Sequence, residues 1–149
     1  MGTNQIIIKN ALKIVLGIIL YFFVMKLFGL DSVSELRFLN FIFVVWGINS
    51  AIKSNIMNNK ETYYISNLFI GIATSIIATA IIIFGLVIYV SFIEPSFINV
   101  LENSFLWGNN LSLQLVLFAI SVEGYASAVV CSFIIMQYWK NYKIKELTA

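Results

Sequence analysis

The feature that most constrains this chain is a set of four apolar runs, each near the ~20 residues a helix needs to cross ~30 Å of hydrocarbon. They cover about Ala11 to Leu30, Leu36 to Ile52, Tyr64 to Phe92 and Leu111 to Trp139. The second is the shortest and carries Asn40, Asn49 and Ser50, while the third is long enough to need tilt. All four are far longer than a membrane strand of about 9–11 residues, and none alternates between apolar and polar positions. Lipid obliges each segment to satisfy its own backbone hydrogen bonds, so helix is expected despite the many Ile and Val residues. The prediction is an all-α, integral membrane four-helix bundle forming a single domain over residues 1–149.

Composition closes off the alternatives. The chain is 60% apolar and only 11% charged, whereas a soluble domain is about half apolar and a quarter charged. A soluble chain of this length could not hide so much apolar surface. The net charge of +2 is too small to suggest nucleic acid. With no histidine and one cysteine, Cys131, the chain has no disulfide framework, no His/Cys metal site and no histidine-based triad. Lys9 and Lys13 precede the first run as in a secretory signal, but Tyr21, Phe22 and Phe23 stand where small residues would allow cleavage. That run is expected to be a span. Met1-Gly2 resembles a myristoylation start, yet Ile6 occupies the position where Ser or Thr is needed.

The basic residues give an orientation. Lys9 and Lys13, Lys53 and Lys60, and Lys140, Lys143 and Lys145 fall on one side of the four runs, leaving two of the nine, Lys26 and Arg37, on the other. Lys26 and Arg37 are accompanied there by Asp31, Glu35, Glu94 and Glu102. Cytoplasmic loops carry the excess of Lys and Arg, so both termini are expected in the cytoplasm. Tyr63, Tyr64, Tyr138, Trp139 and Tyr142 on that side and Trp107 on the other suit headgroup depth. Between the last two runs, residues 95–107 place Phe97, Ile98, Leu101 and Phe105 on one side at helical spacing, with Pro95 fit for a first turn. A short amphipathic helix on the external membrane surface is expected there.

Glu123 is the residue most open to a functional reading. It lies near the middle of the fourth run, where a carboxylate costs about 3 kcal/mol even on lenient insertion scales. Such a group must be protonated, paired, hydrogen-bonded or in contact with water. No basic residue is expected at its depth. Ser121, Gly124, Tyr125 and Ser127 are its sequence neighbours, and Asn40, Thr74, Ser75 and Thr79 are expected at a similar level on other helices. The candidate intramembrane cluster is Glu123, Ser127, Tyr125, Asn40 and Thr79. It can serve as an interhelical hydrogen-bonding knot, as a proton-relay or ion-coordinating site, or as a contact with a partner subunit.

Two ridges of small residues recur every fourth position: Gly124, Ala128 and Ser132 on the last run, and Gly71, Ser75 and Thr79 on the third. Such ridges let helix backbones approach where lipid removes the usual hydrophobic drive. They predict packing of the third helix on the fourth, with a homodimer interface as the alternative. Gly47, Asn49, Ser50 and Lys53 read as a solvated helix end. The chain lacks GxSxG, HExxH, P-loop and CxxC signatures, and a single mid-membrane carboxylate offers no acid–base pair. No enzymatic activity and no cofactor are expected.

Several segments resemble a group of small, uncharacterised bacterial proteins with four transmembrane helices that carry a domain of unknown function. They are Leu36-Arg37-Phe38-Leu39-Asn40, Gly47-Ile48-Asn49-Ser50-Ala51-Ile52-Lys53, Asn67-Leu68 with Gly71, Glu94-Pro95-Ser96-Phe97, and Glu123-Gly124-Tyr125-Ala126-Ser127. The resemblance implies a bacterial inner-membrane location and supplies no activity, substrate or cofactor. Three functional classes remain. The first is a non-enzymatic component that contacts membrane lipids and self-associates or joins a partner membrane protein. The second is a small proton- or ion-coupled transporter with Glu123 as the coupling carboxylate. An intramembrane enzyme comes last.

Overall fold

Gly29 sets the first boundary of the fold. In the computed structural model, which describes residues 2–30, 34–103 and 112–141, helix α1 (Thr3–Leu27) stops at a left-handed Gly29 with φ of 67°. Leu30 N–H donates to the Met25 carbonyl at 3.0 Å and Gly29 N–H to the Lys26 carbonyl at 3.1 Å. These two bonds close the last turn in the Schellman pattern, which favours glycine because it has no Cβ to clash. A 3₁₀ turn (Ser34–Leu39) leads into α2 (Asn40–Asn59). Helix α3 (Tyr64–Ile88) runs on into one π turn (Tyr89–Ile93), then α4 (Phe97–Asn103) and α5 (Leu113–Trp139) complete the chain. Ser112 caps α5, its hydroxyl accepting from Leu115 N–H at 3.4 Å.

Three helices, Thr3–Leu27, Tyr64–Ile93 and Leu113–Trp139, are long and apolar enough to cross a membrane. Their outward surfaces carry Leu20, Ile65, Phe84, Phe118 and Ile134, all exposed. Apolar surface on this scale is what a bilayer covers, and it supports an integral membrane protein. Helix α2 spans about 30 Å at 1.5 Å per residue but is more polar.

The boundaries differ from the sequence reading in two informative places. α1 begins at Thr3, ahead of Ala11, because Ile6 and Ile7 are buried against Ala51 and Ile70. α2 continues to Asn59 rather than ending near Ile52. Asn49 and Ser50 therefore sit inside the helix, where Asn49 Oδ1 accepts from Trp139 Nε1 at 2.8 Å and Ser50 Oγ from Lys13 Nζ at 3.0 Å. Gly47, read as part of a solvated end, is buried with Ile14 pressed on it. The polarity marks contact with other helices and not a terminus.

Helices α1, α2 and α3 pack on one another pairwise, while α5 lies along α3 and, less extensively, α2. The half holding the start of α1, the α2–α3 turn and the end of α5 is called proximal below; the half covered by α4 is distal. Ile48, Ile52, Ile56, Cys131, Ile135 and Met136 form the proximal core. At the distal end Val90, Phe97, Leu101 and Val116 pack together. α4 was expected to rest on the membrane surface across residues 95–107. It instead turns Phe97 and Leu101 into the bundle, and positions 104–107 lie outside the described residues.

Candidate functional site

The proximal half holds a chain of asparagines and the distal half an open cavity. In the proximal half three asparagines bond one another, while Asn10 Oδ1 and Ser132 Oγ are buried without a hydrogen-bond partner among the described residues. Asn55 Nδ2 donates to Asn67 Oδ1 at 2.8 Å, and Asn59 Nδ2 donates to Asn55 Oδ1 at 2.8 Å. Asn67 Nδ2 then closes the α2–α3 turn by donating to the Glu61 and Tyr63 carbonyls at 2.9 and 3.1 Å. Gln137 Nε2 donates to Tyr64 OH at 2.9 Å, joining α5 to α3.

In the distal half the four long helices leave between them an open-sided cavity of about 410 Å³. Its wall is largely aliphatic and aromatic, from Ile14 and Ile18 through Phe22, Val44 and Ile82 to Ile120. The polar residues on it are Asn40, Ser75, Thr79, Glu123, Ser127, Tyr21 and Tyr89. A volume of several hundred Å³ with a mainly apolar wall and a few polar groups is the usual make-up of a small-molecule site.

Four of the five residues singled out from sequence line this cavity: Glu123, Ser127, Asn40 and Thr79. Tyr125 does not, and is exposed on the outer face of α5. Glu123 was expected to be buried between helices. It is exposed, at the wall of the cavity, because the packing of α1 and α5 on the central pair leaves open space in front of it. Its carboxylate has no hydrogen bond or ion pair with a described residue; Ser127 Oγ donates only to the Glu123 backbone carbonyl, at 2.6 Å. Asn40 Oδ1 is buried without a hydrogen-bond partner among the described residues.

The small-residue ridges of α3 and α5 lie against each other within one chain. A Cβ on Gly71 would stand 2.9 Å from Ser132 Oγ, and a Cβ on Gly124 would stand 2.5 Å from Thr79 Cγ2. Ala128, Ser132 and Ser75 are buried in the same seam. This close approach fixes the height of Glu123 relative to Thr79.

A second feature escaped the sequence reading. At the distal mouth Lys26 Nζ bonds both Tyr89 OH and Glu94 Oε2, and Tyr89 OH donates to Glu94 Oε2 at 2.5 Å. Lys26 also lies over the Tyr89 ring, 5.1 Å from its centre. The π turn makes this possible: Glu94 N–H bonds the Tyr89 carbonyl at 2.9 Å, so residues five apart come to one side. The Lys26 ammonium, and next the Tyr89 hydroxyl, hold the Glu94 carboxyl below its ordinary value. Phe22, Tyr89 and Phe97 stack edge to face just inside, with centroids 5.4 Å apart in each pair. The signal in the sequence was opposite charge, Lys26 and Glu94, expected on the same side of the membrane. Nothing in the composition announces the π turn.

Among the described residues no group of His, Cys, Asp and Glu is arranged to hold a metal ion. Comparison with protein-family models, with curated proteins and with solved structures gives no match for this chain.

Proposed function

We propose that this chain is a four-span inner-membrane protein with cytoplasmic termini that binds a small molecule in the distal cavity and carries it across the bilayer. In this reading α2 is the fourth span, the proximal half faces the cytoplasm, and Glu123 exchanges a proton for the cargo. The observation that carries it is an unpartnered carboxylate on the wall of a mostly apolar cavity. A structural knot would have left that group hydrogen-bonded to Asn40, Thr79 or Ser127, as the asparagines of the proximal half are to each other. In this reading the protein acts without enzymatic chemistry, and Glu123 is the one Asp or Glu among the described residues of the cavity wall.

The decisive experiment is uptake into proteoliposomes under an imposed pH gradient, with wild type and Glu123→Gln side by side. Gradient-driven uptake in wild type that drops to the protein-free level in Glu123→Gln is the expected result. Equal leak-level uptake in both would remove the transport reading. A reporter fused after Ala149 that reads on the external side would overturn the orientation.

Self-association is the second reading. On α5 the exposed Val122, Ala126, Val129, Val130 and Phe133 form an apolar stripe flanked by Tyr125 and Glu123. Single-molecule photobleaching in native membranes distinguishes the two, one bleaching step meaning a monomer.

A further inference from the structure

We infer that the ligand of the distal cavity is a hydrophobic cation, such as a protonated amine on an apolar body, with Glu123 as its counter-charge. The inference rests on the reading of the cavity as a binding site and adds the chemical class that fits it. Among the described residues Glu123 is the sole carboxylate on the wall, and no lysine or arginine lines it. Two lysines elsewhere on α1 are already engaged. Lys26 bonds Tyr89 and Glu94 at the distal mouth, and Lys13 bonds Ser50 and lies over the Trp46 ring at 5.7 Å.

The Glu123 carboxylate has no partner among the described residues, so a cation brought in from outside meets an unopposed negative charge on an otherwise apolar wall. An anionic ligand would meet like charge with no compensating base. A neutral hydrocarbon, including a lipid acyl chain, would cover the wall but leave the carboxyl unused. The apolar residues Ile18, Phe22, Val44, Ile82 and Ile120 supply the surface for the body of the molecule. Proton and amine then compete for one carboxylate, which is the coupling that the transport reading requires.

The test uses the full chain in lipid nanodiscs and three probes of one shape: naphthylmethylamine as the cation, methylnaphthalene as the neutral form and naphthoate as the anion. Equilibrium dialysis against empty nanodiscs separates binding from partition into lipid. The expected result is saturable binding of the amine, about tenfold or more tighter than either other probe. Glu123→Gln should erase that preference, Glu123→Asp should keep it, and Tyr125→Phe should leave it unchanged. Equal saturable binding of all three probes would overturn the cation assignment while leaving the cavity as a binding site. Absence of saturable binding by any probe would overturn the binding reading itself. A preference for the amine that survives in Glu123→Gln would also overturn the assignment, because the counter-charge would lie elsewhere.

Discussion

The proximal and distal halves of this bundle are built from the same four long helices but differ in how closely those helices pack. Proximally, Asn55, Asn59 and Asn67 form a chain of hydrogen bonds, and glycine at position 71 lets Ser132 and Ile48 close in. Distally the helices part around a cavity with the Glu123 carboxylate on its wall, and the Lys26–Glu94 ion pair stands at its mouth. A protein interior is close-packed by default. Both halves hold a buried polar atom without a partner among the described residues, Asn10 and Ser132 proximally and Asn40 distally, so it is the open space that sets the distal half apart. The comparison teaches that the asparagine chain and the cavity lie toward opposite ends of the bundle.

The sharpest way to break the comparison uses two glycines of α3. Gly71→Leu should destabilise the protein by about 3 kcal/mol, because even its Cβ would meet Ser132, Ile48 and Ile52 at 2.9–3.2 Å. Gly85 has nothing within 4 Å of a Cβ and lines the cavity. Gly85→Leu should therefore change stability by no more than about 1 kcal/mol while abolishing ligand binding. Unfolding in bicelles, followed by steric trapping, reads both; equal costs would mean the halves are packed alike. Next in size, Asn67→Leu should cost about 2 kcal/mol by stranding Asn55 Nδ2 and releasing the α2–α3 turn. Adding Asn55→Leu should return part of that loss, a non-additivity measurable in a double-mutant cycle.

The smallest effect belongs to the distal mouth. The Glu94 carboxyl is held below its ordinary value of 4.5, so its contribution is present above that pH and is lost as pH falls through the lowered value. Amide protection factors over α4 should stay constant down to about pH 4.5 and fall below it, with those of proximal amides unaffected. Glu94→Gln should remove the acid dependence. A fall in both halves together would show that the mouth is not an independent unit.

Much of the helical layout was legible, since lipid-facing segments need length and hydrophobicity and both are written in one dimension. The start of α3 at Tyr64 and the extent of α5 follow directly from their runs. α2 was misjudged because Asn49 and Ser50 find their partners on α5 and α1, and a sequence read segment by segment cannot see across helices. Depth counting brought Asn40, Thr79 and Ser127 to the level of Glu123. It failed for Tyr125, because two residues along an α-helix turn the side chain about 200° away. The cavity was invisible for the same reason: it is set by how far apart the helices stand, which only the packed structure shows.

The order of contacts along the chain bears on how the protein is made. α1, α2 and α3 complete their mutual packing without α5, so a nascent chain can assemble them before the last helix leaves the ribosome. α5 carries the one carboxylate that lipid would resist most. Arriving last, it can slide that group along a wall already furnished with Asn40, Ser75 and Thr79, instead of presenting it to bare hydrocarbon. The same polar residues that would later receive a ligand thus serve first as the landing strip for the final step of membrane insertion.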